Sequence, residues 1–506
     1  MKILDKQSGL SAEDLFKKGE GIVYDDFTIL DTNFSDIDKK DINLETDLGK
    51  GIILKTPIIA APMDTVTNAA LCITIALQGG IGCIHYNFKK PDGSPDIDRQ
   101  IREIAEVKRF ENGFIENPVA VSPDYNIEQA IKIGEKNIIG KNKINNFPVT
   151  EDGTSHGKLI GFLRKEDYSR TKKLDLKVKE RMVPLSELTT AEWPITLEEA
   201  NAKLWEKHLS FLCIVDKKGN LMYLVTRKDL DKNEEYPLAT KDKKKRLRVL
   251  FAVETRPDIA YERLKKGFTA GADGCVIDTS QGFTRYEFEM VKYIQENYPD
   301  KLIIGGNISS PEAYKELNKL GTDACRCGQG SGSICTTAGA IGISRAGAAG
   351  VYNCAKQKGD MKTIADGGLK QVGDIMKALT IGAHAVMLGN MLAGTEESPG
   401  ETILDSESGL PVKIYRGMGS KEANTSGIRG YSRLPQGVSG HVKYRGSVHE
   451  WVPLIRDGLY SALHTLNCKN IQELHEKTYS GKVRFEKRTE DAKKESRVHN
   501  LTRWDG

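Results

Sequence analysis

LIIGGN (residues 302–307), PEAYKELNKLGT (311–322) and DACRCGQG (323–330) follow one another closely, and their reading decides the fold. Each outer segment is a short apolar run that stops at glycine or another polar residue. The middle segment has a helical pattern closed by a small-residue turn. A strand that is apolar without alternation has both faces covered, as strands of a parallel sheet do. The same unit recurs along the chain: PIIAAPMD (57–64), GGIGCIHYN (79–87), VLFAVET (249–255), GCVIDTS (274–280), TIADGG (363–368) and AVMLGN (385–390). ERLKKGFTAGAD and QVGDIMKALTIGAH supply helices between them. Eight such strands, with glycine and polar residues gathered at their C-terminal ends, predict an α/β fold. That fold is a (β/α)8 TIM-type barrel rather than an open doubly wound sheet.

The rhythm breaks between residues 114 and 234. FPVTEDGTSHGKLIGFLRKEDY (147–168) and FLCIVDKKGNLMYLVTRKDL (211–230) each read strand, polar turn, strand and charged helix start. A helical stretch precedes each, IEQAIKIGEKN and LEEANAKLWEKH. This internal repeat predicts two copies of one small α+β unit, inserted between the second and third barrel strands. The expected organisation is barrel, first part (1–113), insert (114–234) and barrel, second part (235–506).

A chain of 506 residues, 39% apolar and 28% charged, suits two or three globular domains. A net charge of +4 leaves no nucleic-acid footprint, and the run KDKKKRLR (241–248) reads as a solvated face. No window approaches the ~18 apolar residues of a membrane span. The amino terminus lacks the apolar core of a secretory signal, so a cytoplasmic protein is expected. The nine cysteines (72, 83, 213, 275, 325, 327, 335, 354 and 468) include no C-x-x-C pair. Cys72, Cys83, Cys213 and Cys275 lie in apolar runs. Cys335 alone sits among glycines and hydroxyls, in GSGSICTTAG (330–339), where backbone N–H groups are open to a ligand. That setting makes it the candidate nucleophile.

GSGSICTT resembles the catalytic-cysteine loop of the IMP dehydrogenase / GMP reductase family. APMDTVT (61–67), YPLATKD (236–242), IDTSQG (277–282), IGGN (304–307), ADGG (365–368), YRGMGS (415–420), QGVSG (436–440) and YSGKVRFEKRT (479–489) extend the resemblance over almost the whole chain. It implies that the insert is a CBS pair, or Bateman module, which binds purine nucleotides. It also implies a homotetramer, or an octamer when the insert is loaded. The C-terminal segment itself shows no obvious partner within its own barrel.

For the reaction, the resemblance implies that Cys335 adds to C2 of inosine monophosphate (IMP), that hydride passes to NAD, and that the thioimidate is hydrolysed to xanthosine monophosphate. Cys335 and Thr337 belong to an active-site loop (328–345), and Arg429 and Tyr431 to a flap (421–436) that supplies the hydrolytic base. The substrate is expected on Asn307, Arg326, Ser333, Asp366, Gly367, Gly368, Gly389, Asn390, Tyr415, Gly417, Met418, Gly419, Gln436 and Gly437. Asp366 takes the ribose hydroxyls, and Met63 and Asp64 support the site. Asp278, Thr279, Ser280, Gly328 and Gly330 are expected to meet NAD. A K+ ion is expected on carbonyls of Gly330, Gly332 and Cys335, with Glu495, Ser496 and Arg497 of a neighbouring copy.

Several positions depart from the family pattern. Gly430 separates Arg429 from Tyr431, Ala338 follows CTT, Ala61 stands where serine is common, and ESRVH (495–499) replaces EGGVH. The alternative is a GMP reductase using NADPH; it would want a glutamate where Gln436 stands and a lysine in IHYN (84–87). A third reading makes the insert the working part, a nucleotide sensor on a weakened barrel. Thr226-x-x-Asp229 keeps the pattern such a sensor uses for ribose and phosphate, whereas the first repeat has Arg164-x-x-Asp167.

Overall fold

The computed structural model describes residues 8–17, 19–31, 34–110, 115, 117–136, 143–168, 174–227, 236–424 and 434–496. The chain divides into two compact units. One holds residues 1–104, 238–240 and 248–506; the other holds 105–237 and 241–247.

The first unit is a closed barrel of eight parallel strands: β1 (Ile58–Ala60), β2 (Ile81–Ile84), β3 (Val249–Val253), β4 (Gly274–Ile277), β5 (Leu302–Ile308), β6 (Ala324–Cys327), β7 (Lys362–Asp366) and β8 (Ala385–Leu388). These are the eight apolar runs of the sequence. They neighbour one another in chain order, and β8 closes on β1 with Val386 opposite Ile58. Side chains alternate across each strand, so one face of each run packs the lumen. Ile59, Ile81, Leu250, Val276, Ile304, Ala324, Ile364 and Met387 fill it, with Leu48, Ile52 and Leu54 of a small hairpin in the same cluster. The lumen is a packed core, and ligands are left the C-terminal mouth.

Helices follow most strands, and their starts are legible locally. Ser310 caps Pro311–Lys319 by accepting the Ala313 N–H, and Thr284 caps Arg285–Asn297 by accepting that of Glu287. A charged network lies buried near the β2 and β3 ends. Arg263, fully buried, donates to Glu254 at 2.8 and 3.2 Å and to Gln100 at 2.6 Å. Gln100 in turn donates to the carbonyls of Ile84 and Ala252.

The C-terminal segment does have a partner within its own unit, contrary to the sequence expectation. Arg484–Lys487 pairs antiparallel with Phe27–Leu30, and Phe485 buries its ring 5.8 Å from that of Phe27. An edge-to-face aromatic pair fixes this contact, across some 450 residues that no local pattern bridges. A separate three-stranded sheet, Thr402–Leu404, Pro411–Arg416 and Ser439–Lys443, carries the segment Tyr415–Ser420.

The second unit contains the two repeats. Helix Ile127–Lys136 precedes the antiparallel strands Phe147–Thr150 and Leu159–Leu163; helix Leu197–Glu206 precedes Phe211–Val215 and Leu221–Thr226. Phe162 and Phe211 stack at 3.6 Å between the two copies, within a cluster of Leu159, Cys213, Leu221 and Leu224. In the first repeat Arg164 clasps Asp167 at 2.8 and 3.1 Å. Asp229 of the second lies outside the described residues. Within the basic run Asp242 accepts from both Arg246 and Lys108, while Lys243, Lys244 and Lys245 are exposed. No helix among the described residues is long and apolar enough to cross a membrane.

Candidate active site

The period-2 alternation that fills the lumen also aims polar side chains into its mouth. Ala324 faces inward, so Arg326 does too, with Cys325 and Cys327 on the opposite face. Arg326 is buried and reaches Asp278 Oδ1 at 3.1 Å and Asp366 Oδ2 at 3.6 Å. Asn307 at the end of β5 donates to the same Asp366 oxygen and to the Gly328 carbonyl, each at 2.8 Å. Burial pushes the Asp366 carboxyl above the usual range, while Arg326 and Asn307 pull the other way.

The loop after β6 is pressed against the turn after β7. A side chain at Gly328 would place Cβ 1.9 Å from the Asp366 carbonyl oxygen. Gly367, at φ +88°, would meet Ser331 Oγ at 2.7 Å. Gly328→Ala is therefore expected to shift the loop and lower kcat/KM by about tenfold or more, an overpacking cost of about 1–3 kcal/mol. A steady-state assay on folded variant checks this; unchanged kinetics would mean that the loop has room the geometry denies it.

Cys335 is the one cysteine of nine that is not buried. Its N–H bonds the Gly332 carbonyl at 3.0 Å, and its loop pairs with 436–438: Thr336 N donates to Gln436 O and Val438 N to Ile334 O, both at 3.0 Å. The Sγ atom lies 3.0 Å from Thr337 Oγ1, which lies 3.3 Å from Gln436 Oε1. Gln436 N in turn donates to Gly419 O, tying YRGMGS to the cysteine loop. Asp64, ending the β1 segment, is clamped by Arg416 at 2.7 Å and Asn87 at 2.7 Å. Burial opposes its charge, but the Arg416 bonds and charge outweigh that and hold the carboxyl below the usual range.

Two cavities meet at Cys335. The first, of about 260 Å3, is lined by Arg326, Ser333, Asp366, Gly367, Gly368, Gly389, Asn390, Tyr415, Gly417, Met418, Gly419, Gln436 and Gly437. Burial pushes its Tyr415 hydroxyl up to about 12, so this group stays a proton donor. The second, of about 410 Å3, is lined by Thr279, Ser280, Gly328, Gly330, Thr337 and the exposed Ile341 and Ile343. Two residues lie apart from the groups in which the sequence sets them. Asn307 lines the second cavity, its amide spent on Asp366 and Gly328, and Asp278 lines the first, drawn inward by Arg326. Arg429 and Tyr431 fall outside the described residues, as does Arg497. Glu495 ends the helix Glu490–Glu495, and Ser496 Oγ is bonded to Arg488. Sequence reading missed Arg416, Asn87 and the buried Glu287. Only Glu287 left a signal, an acid on the helix stripe with Met290, Val291 and Ile294.

Residues 21–499 match the family model described as "IMP dehydrogenase / GMP reductase domain". Proteins named inosine-5'-monophosphate dehydrogenase are similar over nearly their whole lengths. That of Schizosaccharomyces pombe is 38% identical, covering 100% of this chain and 97% of the relative. That of Aquifex aeolicus is also 38% identical, covering 95% and 96%. Among solved structures, GMP reductase from Trypanosoma brucei in complex with guanosine 5'-monophosphate superimposes with a TM-score of 0.86. It is 31% identical and covers 96% of this chain and 98% of that one.

Proposed function

The chain belongs to the IMP dehydrogenase / GMP reductase family, and on that premise we propose that it oxidises IMP to xanthosine monophosphate through a covalent bond to Cys335. The single observation that carries this reading is the half-exposed Cys335 thiol at the junction of two cavities. The first suits the nucleotide: close-approach glycines after β7 and β8 for the phosphate, Asp366 for the ribose hydroxyls, and Met418 with Gly419 for the purine. The second suits NAD, which when bound supplies the hydride acceptor. Thr279 and Ser280 would hold its nicotinamide ribose, and Gly328 and Gly330 give its backbone contacts.

Cys335 Sγ forms a bond to C2 of IMP, making that carbon tetrahedral so that hydride departs with its electron pair. Water then adds at C2 and the C–S bond breaks, returning the sulfur's electron pair to Cys335. The water's proton must leave beside Sγ, where Thr337 and Gln436 form a hydrogen-bonded pair. In this reading Arg429 and Tyr431 of the flap activate that water. Overall, IMP, NAD and water give xanthosine monophosphate, NADH and a proton.

A K+ ion would sit on the carbonyl side of this loop: those of Gly330, Gly332 and Cys335 lie within six residues and offer the oxygen ligands a hard cation takes. Glu495, Ser496 and Arg497 of a neighbouring copy would complete the shell in a tetramer. Residues 114–234 form the CBS pair in this reading, with ATP or GTP held at Thr226 and Asp229. The Arg164–Asp167 pairing closes the matching position of the first repeat.

A second reading, NADPH-dependent reduction of GMP to IMP and ammonia, is favoured by the Trypanosoma brucei likeness and by Gly430 between Arg429 and Tyr431. One assay separates them: absorbance at 340 nm, with K+, on IMP plus NAD and on GMP plus NADPH. A rise in the first is the expected result. A fall in the second assigns the reductase. Silence in both overturns both readings and leaves the nucleotide-sensing role.

A further inference from the structure

Glu287 is a buried carboxyl that the reaction above does not use. It lies on the inner face of the helix Arg285–Asn297, against β5. Its Oε1 accepts the Gly306 N–H at 2.8 Å, and its Oε2 stands 3.2 Å from Thr279 Oγ1. The same Thr279 oxygen lies 2.8 Å from the Gly306 carbonyl oxygen.

The protons can be counted. A carbonyl only accepts, and at 2.8 Å against 3.2 Å it is the nearer oxygen, so the single hydroxyl proton of Thr279 is drawn to Gly306. The contact between Thr279 and Glu287 is then attractive only if Glu287 supplies a proton of its own. A carboxylic acid fits both ends, accepting from Gly306 at one oxygen and donating to Thr279 from the other. A carboxylate would instead draw the Thr279 proton away from Gly306.

The surroundings agree. Burial acts most strongly and pushes the Glu287 carboxyl up to about 8; the Gly306 N–H, Arg326 and Thr279 favour the charged form, and Asp278 opposes it. Cys275 of β4, itself buried, also faces it. Gly305 beneath the carboxyl leaves no space for repacking, since a Cβ there would lie 3.0 Å from Oε1.

We propose that Glu287 is a positioning residue that works as a neutral acid, holding the Thr279 hydroxyl for the nicotinamide end of the dinucleotide, and that loss of its proton releases Thr279 and weakens dinucleotide binding. The inference rests on the reading of Thr279 and Ser280 as dinucleotide contacts. It adds what sets their geometry and its pH dependence.

The test titrates NAD and, separately, NADPH into the full-length protein and into Glu287→Gln by calorimetry at pH 7 and pH 9. The glutamine amide donates to Thr279 and accepts from Gly306 as the acid does. Affinity of the unsubstituted protein should fall about tenfold between the two pH values, as the competent fraction falls to about a tenth. Glu287→Gln should hold its affinity at both, and IMP affinity should change equally in the two proteins. An infrared difference spectrum between them at pH 7 should carry the C=O band of a protonated carboxyl, lost at pH 9. A pH-independent affinity, a parallel fall in Glu287→Gln, or no such band overturns the proposal. Failure of the IMP oxidation reading looks different: NADPH binds in place of NAD, with the Glu287-dependent fall intact.

Discussion

Cys335→Ala is expected to abolish NADH formation from IMP, by about four orders of magnitude or more, the usual cost of removing a covalent nucleophile. No described neighbour takes over. Thr337 offers a hydroxyl 3.0 Å from Sγ, but an alcohol is far less nucleophilic than a thiolate, and the other eight cysteines are buried. Binding should survive, because Asp366, Arg326 and the glycine turns hold one another without the sulfur. Calorimetry with IMP should show affinity within a fewfold, while single-turnover absorbance shows no NADH. In the unsubstituted protein, iodoacetamide should label one thiol under native conditions and be blocked by IMP. Activity above one per cent in the alanine variant would rule out the covalent route.

Arg263→Met should have the largest effect on stability. The change removes both guanidinium bonds to Glu254 and one to Gln100, leaving a carboxylate buried with only the distant Arg256, 3.9 Å away and largely exposed. Breaking a buried pair from one side costs about 3–5 kcal/mol. In a domain of this size that is a fall in Tm of about 5–10 °C. Combining it with Glu254→Leu should restore much of the loss, since apolar residues of similar volume often replace a buried pair without penalty. Differential scanning calorimetry reads both. An unchanged Tm in the single variant would mean that water reaches Glu254.

These two sites mark the limit of what sequence reading reaches. Every barrel strand was legible because a parallel strand is apolar on both faces and declares itself within five residues, as VLFAV and GCVI do. The cysteine loop was legible for the opposite reason, being too polar and too rich in glycine to be core. Arg263 and Glu287 sit at positions that helical period assigns to the core, beside Leu264 and Met290. A charge there reads as an interruption of the pattern, although it is buried and bonded. Arg416 grips Asp64 across 352 positions, and Phe27 meets Phe485 across more. Such pairings come from closure of the whole fold, about which neither local segment carries information. The placement of Asn307 and Asp278 has the same origin, since each is turned by a neighbour on another strand.

Closure also has a consequence for how the chain is made. Strands β1 and β2 leave the ribosome early, yet β1 waits for β8, about 330 residues later, and β2 waits for β3 beyond the second unit. At translation rates of about 5–20 residues per second, β1 stands without that neighbour for tens of seconds. Through this interval the nascent chain presents two apolar strands with open edges. The second unit, compact in itself, is synthesised in the meantime. Chaperone demand during synthesis therefore falls on the segment that carries β1 and β2, a part of the barrel that holds none of the catalytic loop.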